Sequence, residues 1–134
     1  MNLSRFAAAS YIAGAVLALV SVAAAALTSH GLVKIAPTGA QAVEWFKIAT
    51  GFQITHALGM ILVTVIAEQL TPGRARTVMR AGAVLLGVGA LLFPGALYSL
   101  SFTGPSFFAP WGGFAAMAGW IAFAVGAAIA VKRS

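Results

Sequence analysis

The sequence contains no cysteine and no aspartate, and its eight Lys or Arg residues face only two acids, Glu44 and Glu68. Missing thiols exclude disulfides, thiolate metal sites and thiol catalysis. With two distant acids there is no paired carboxylate for acid–base hydrolysis and no acid to orient a Ser–His pair. No acid lies at the centre of an apolar run, where proton- or ion-coupled transporters place one. Phosphate-binding glycine loops are also missing. Charged residues are 7% of the chain, against about a quarter in soluble domains. The chain lacks the polar surface that would keep it in water.

What it has is apolar length. Hydrophobic residues make up 61% of the 134, and mean hydropathy is +1.00. Uncharged runs extend from Phe6 to Leu27, Ile48 to Ala67, beyond Arg80 to Phe102, and Pro110 to Val131. Each crosses a ~30 Å hydrocarbon core at about 1.5 Å per residue. Breakers "KIAPTGA", "TPGRART" and "TGPSFFAP" separate them. The expectation is one all-α, polytopic domain with spans at 6–28, 46–69, 78–102 and 110–131. The first run, followed by "SVAAAALTS", also fits a secretory signal. It exceeds the apolar core of about 7–15 residues that such signals carry, so it is read as a retained span.

The net charge of +6 sits at the ends of apolar runs, which is a topological pattern and not a nucleic-acid stripe. Arg5, Arg74, Arg76, Arg80, Lys132 and Arg133 fall on one side of four crossings, Lys34 and Lys47 on the other. Both termini are expected in the cytoplasm. Within "APTGAQAVEWFKIATGF", Thr38 and Gln41 form a capping-box pattern after Pro37. A helix starting near Gly39 would place residues 39–47 at the membrane interface, with Gly51 able to bend it. An irregular loop is the alternative.

On a helical wheel, Ala49, Gln53, His56, Met60, Val63, Thr64 and Ala67 share one face of the second span. Ile54, Leu58, Ile61, Leu62, Val65 and Ile66 occupy the opposite, lipid-facing side. Gln53 and His56 are neighbours on the inward face. They can bond one another or Ser10, Tyr11, Ser21, Tyr98, Ser99 or Ser101. Such residues serve as packing glue or as ligands. His30 ends the first span, where a histidine suits the helix dipole and Gly31 suits the C′ position. It lies far from His56 in depth, which argues against the pair sharing a haem or a metal. Pro94 is expected to kink the third span, with Gly95 allowing close approach. Tyr98 beyond it is an interface anchor or a partner for a histidine. Gly112, with its neighbour Gly113, Ala116 and Gly119 supply a small-residue stripe for helix packing. Gly14 with Ala18, and Gly82, Gly87 and Gly89, make similar surfaces, and together they favour a tight four-helix bundle.

Four stretches together carry a family resemblance: "LTSHGL", "FQITHAL", "LFPGALYSLSFTG" and "PWGGFAAMAGW". In order and spacing the chain resembles the YgdD-type inner-membrane proteins and their transmembrane protein 256 relatives, the domain of unknown function 423. Phe52 stands where the pattern has tyrosine, Thr28 and Ser29 where it has small residues, Pro94 and Ala96 where it has serines, and Trp111 where it has an aliphatic residue. The resemblance implies four helices in a bacterial inner membrane and a shared polar set of His30, Gln53, His56 and Tyr98. It implies no activity.

The reading that follows is a non-enzymatic accessory or scaffold subunit of a larger membrane complex. Its partners would be lipids and other membrane subunits or further copies of itself, with no nucleic acid, no metal and no cofactor. The alternative is an oligomeric binding or transport protein holding a haem, quinone, metal or lipid at His30, Gln53, His56 and Tyr98. A third and weaker reading is a membrane enzyme with His56 as base.

Overall fold

The computed structural model describes residues 3–131. Four long helices and one short one account for it: α1 (Arg5–His30), α2 (Leu32–Ile35), α3 (Ala40–Gln69), α4 (Arg74–Phe102) and α5 (Ala109–Val131). No strand occurs among the described residues. The long helices span about 34–45 Å at 1.5 Å per residue, so each exceeds the ~30 Å hydrocarbon core and carries its ends into the headgroup region. All four are apolar enough to cross a membrane.

Local chemistry sets the ends. The Ser4 hydroxyl caps α1 by accepting from the Ala7 N–H at 3.1 Å. Gly31 closes α1 at φ 137°, a conformation open to glycine, and its N–H bonds the Leu27 carbonyl. His30 therefore ends the helix as expected. α2 was not foreseen. It exists because Leu32 is fully buried in a cluster with Ala36, Ala42 and Phe46, which pulls the connecting segment against the bundle.

One expectation is corrected at the start of α3. Thr38 does not cap the helix; Gly39 occupies that position without a side-chain bond. The Thr38 hydroxyl instead donates to the Ser101 carbonyl at 3.1 Å, tying the entrance of α3 to the end of α4. The helix expected to start near Gly39 is present, since α3 runs unbroken through residues 40–69 and across Gly51, and the irregular-loop alternative does not hold. α4 begins at Arg74, so Arg74, Arg76 and Arg80 lie on its first turns and not in a loop. Pro94 is buried inside α4, and the helix continues past it. Lys132 and Arg133 fall outside the described residues.

The helices pack in chain order: α1 on α3, α3 on α4, and α4 on α5, while α1 only brushes α4. The four-helix bundle is thus an open one, in which α1 and α5 do not close the ring. Every residue on the predicted inward face of α3 is buried, from Ala49 to Ala67. Ile61 on the opposite face meets α1, where a Cβ on Gly14 would stand 2.6 Å from its side chain.

The tightest seam joins α4 to α5. A Cβ on Gly82 would lie 2.9 Å from the Gly119 carbonyl, and one on Gly119 would lie 3.0 Å from the Gly82 carbonyl. Gly89 meets Ala116 in the same way at 2.8 Å, and Gly112 abuts the Phe93 backbone. Gly112, Ala116 and Gly119 therefore pack as expected. Gly95 and Gly113 do not, since a Cβ on either meets nothing within 4 Å. Gly113 is rotated 100° off the stripe, and Gly95 points outward while Pro94 points in.

Gly82→Val is therefore expected to cost about 1–3 kcal/mol through overpacking, read as a lowered thermal midpoint in detergent. Gly95→Ala and Gly113→Ala are expected to be neutral or stabilising by up to about 1 kcal/mol, because alanine is the better helix former.

Candidate functional site

The polar residues of α3 and α4 meet at two levels. At the upper level Gln53, 3% exposed, accepts a hydrogen bond at its Oε1 from the Tyr98 hydroxyl at 2.8 Å. The Tyr98 ring leans on Phe46 with centroids 4.7 Å apart. Tyr98 thus bonds the glutamine and neither histidine. One turn further along α3, the His56 Nδ1 lies 2.7 Å from the Phe52 carbonyl of its own helix. A carbonyl only accepts, so Nδ1 donates to it, and in the neutral tautomer this leaves Nε2 as the acceptor. Nε2 has no hydrogen-bond partner among the described residues. Phe52 stacks on the imidazole at 3.9 Å, Phe93 packs on Phe52 at 4.4 Å, and Trp120 stands 6.1 Å away. The imidazole therefore belongs to an aromatic cluster contributed by α3, α4 and α5.

The sequence-predicted set is only partly assembled. Gln53 and Tyr98 bond directly, and His56 adjoins them on the same buried face without bonding either. His30 is exposed at the end of α1 and contributes no hydrogen bond to the group. Among the other suggested partners, Ser21 donates to the Thr50 carbonyl at 3.0 Å and Ser101 to the Leu97 carbonyl at 3.1 Å. No group of three residues able to hold a metal ion occurs among the described residues.

A second polar centre escaped the sequence reading. The Glu68 carboxylate, at the end of α3, accepts from Ser4 Oγ at 2.8 Å, Arg76 Nη2 at 2.8 Å and Arg80 Nε at 2.8 Å. Arg80 Nη2 adds a 2.6 Å contact, and its guanidinium lies 4.8 Å over the Phe6 ring. One carboxylate thereby joins α1, α3 and α4. Its side chain is 15% exposed, unlike the Glu44–Lys47 pair, where both side chains are more than half exposed. The signal was available: an acid closing one helix, a Pro-Gly turn, then arginines four apart on one face of the next.

With this arrangement in view, the comparisons are specific. A family model described as "Protein of unknown function (DUF423)" matches residues 24–119. The chain belongs to the DUF423 family. The match runs from the later turns of α1 to the middle of α5 and so contains Gln53, His56, Tyr98, the Gly112–Gly119 stripe and Glu68 with both its arginines. A relative named UPF0382 membrane protein YwdK, from Bacillus subtilis (strain 168), is 34% identical over 119 residues, covering 87% of this chain and 93% of its own length. No solved structure matches. This DUF423 chain is an integral membrane protein with four membrane-spanning helices, as its resemblance implied.

The two polar centres differ in expected strength. A double-mutant cycle of Tyr98→Phe with Gln53→Met is expected to give a coupling of about 0.6 kcal/mol, the average for interhelical bonds in bilayers. Glu68→Gln removes the charge that two guanidinium groups share. Allowing for its partial exposure, it is expected to cost about 1–3 kcal/mol, whereas Glu44→Gln costs under about 0.5. Unfolding in mild detergent compares all four.

Proposed function

We propose that this protein is a non-enzymatic accessory or scaffold subunit of a larger assembly in the bacterial inner membrane, with both termini in the cytoplasm. The observation that carries the reading is how the buried polar side chains are used. Gln53–Tyr98, Ser21–Thr50, Thr38–Ser101 and the Glu68 cluster each bind one helix to another. All four ties are spent in holding the bundle together, and the Glu68 cluster also borders a crevice at its end. The apolar outer faces of α1 and α5 stay uncovered, with Ile12, Leu19, Phe114 and Ile121 all more than half exposed. In an open bundle these faces are available for lateral packing against other membrane helices. Support for the orientation comes from Arg5, Arg74, Arg76 and Arg80 at one end of the bundle, against Lys34 and Lys47 at the other.

One observation favours the binding alternative. His56 Nε2 is an unpaired acceptor in an otherwise aromatic setting, and it suits a ligand that donates a hydrogen bond or offers a metal. His30 is no part of that reading, because it lies exposed at the end of α1.

Native mass spectrometry of protein extracted from its own membrane separates the two. The accessory reading expects larger protein assemblies, and it expects His56→Ala to weaken assembly or stability with no loss of bound mass. A stoichiometric adduct lost in a well-folded His56→Ala protein overturns it. Orientation is tested in the naturally cysteine-free background. Thr71→Cys is expected to be shielded from an impermeant thiol reagent applied outside the cell, and Ser106→Cys to be labelled.

A further inference from the structure

We propose that the crevice between the start of α1 and the end of α3 is a seat for the phosphate group of an anionic membrane lipid. This is independent of the accessory-subunit reading. The crevice, about 520 Å³, is lined by Ser4, Tyr11, Glu68 and Arg76, with Leu3 and Val65 among its apolar walls. Arg76 reaches it from α4. Its Nη2 is bound to Glu68, but its Nε is enclosed with no hydrogen-bond partner. Enclosed donors in folded proteins ordinarily have partners.

Glu68 cannot be the missing one, because its oxygens already receive Ser4, Arg76 and Arg80. Two guanidinium charges against one carboxylate leave the cluster with one net positive charge. Tyr11 lines the same crevice, and its hydroxyl also has no hydrogen-bond partner among the described residues. The unpaired N–H groups of the Arg76 guanidinium and the phenol are all donors. The complement is an oxyanion with several acceptor oxygens, and the planar fork of arginine suits phosphate.

Position selects the source. α3 is about 45 Å long, so its last turn stands beyond the ~30 Å hydrocarbon core, at the level of lipid phosphates. Basic pockets between spans at that level suit anionic headgroups. Leu3 and Val65, 47% and 41% exposed, give the glycerol and first acyl carbons an apolar wall. Free phosphate has no use for such a wall.

The test is native mass spectrometry of the full chain released from vesicles of equal phosphatidylglycerol and phosphatidylethanolamine. One phosphatidylglycerol is expected to stay bound in preference to phosphatidylethanolamine. Tyr11→Phe and Arg76→Lys are each expected to lower its retention about tenfold, the effect of one charge-assisted hydrogen bond. Val65→Trp, at the exposed rim, is expected to do the same by blocking the crevice while every polar group remains. Arg74→Gln removes a charge at the same end outside the crevice and is expected to change retention less than about twofold. Equal retention of the two lipids, or a loss in Arg74→Gln as large as in Tyr11→Phe, overturns the proposal. Displacement of the lipid by millimolar inorganic phosphate also overturns it, in favour of a free-phosphate site.

Discussion

Everything in this fold depends on how closely α4 and α5 approach. Lipid tails are as apolar as leucine, so burying one helix against another gains little from leaving the bilayer. What remains is dispersion, which falls off steeply with any gap. Backbones that meet through Gly82, Gly89, Gly112 and Gly119 recover that contact along the whole seam. α3 joins the pair through a different device, with Leu86 of α4 buried beside Met60 and Val63 of α3. Trp120 lies across Gly59, where a Cβ would stand 3.0 Å from the indole. α1 has the least to hold it. Gly14 lets it rest on Ile61 and the Ala57 backbone, Phe6 and Ala13 pack on the core, and its polar anchors are Ser21 on Thr50 and Ser4 on Glu68.

Polar accounting in a low-dielectric medium explains where those anchors fall. Most hydroxyls in the spans bond a carbonyl one turn back on their own helix, as Thr28, Thr55, Thr64 and Ser101 do. That geometry satisfies the group but joins nothing. Interhelical bonds appear mostly where a side chain is long or a helix end is near, as in Tyr98 reaching Gln53, Thr38 reaching Ser101 and the arginines reaching Glu68. Ser21 is the exception, a short side chain bonding the Thr50 carbonyl inside both helices. The charged cluster lies at the end of the bundle, where partial hydration lowers the desolvation cost of bringing one carboxylate and two guanidinium groups together.

Much of this was legible in sequence because membrane helices have long, uniform signals. The spans, the Gly31 stop, the inward face of α3 and the Gly112–Gly119 stripe all follow from periods of 3.6 and from breakers. What failed depended on neighbours that a single helix does not show. Thr38 and Gln41 fit a capping box, but Gly39 takes the N-cap position, and the Thr38 hydroxyl is turned to the Ser101 carbonyl, distant in sequence. Gly95 and Gly113 look like packing residues because glycine is small, and only the rotation of each helix against its partner reveals that they face outward. The Glu68 cluster was missed for another reason. A wheel drawn for one span cannot display a bond that crosses a turn to the next, although the spacing of Arg76 and Arg80 beyond the Pro-Gly turn held the information. Nor does the wheel distinguish a closed ring of helices from an open row.

His56 shows why an inward-facing residue need not be glue. Gln53 and His56 occupy adjacent positions on one face, and the sequence treats them alike. Gln53 spends its carbonyl oxygen on another helix. His56 returns its proton to its own helix, so it contributes to packing through its ring and not through a bond between helices. Two constraints then fix the imidazole, the Phe52 carbonyl and the Phe52 ring, and both come from the residue one turn earlier. A methionine could fill a similar volume without leaving an unpaired nitrogen acceptor. The difference between the structural and the binding readings therefore reduces to one nitrogen lone pair, whose orientation is set by the Phe52 carbonyl and ring within α3 and backed by Phe93 of α4.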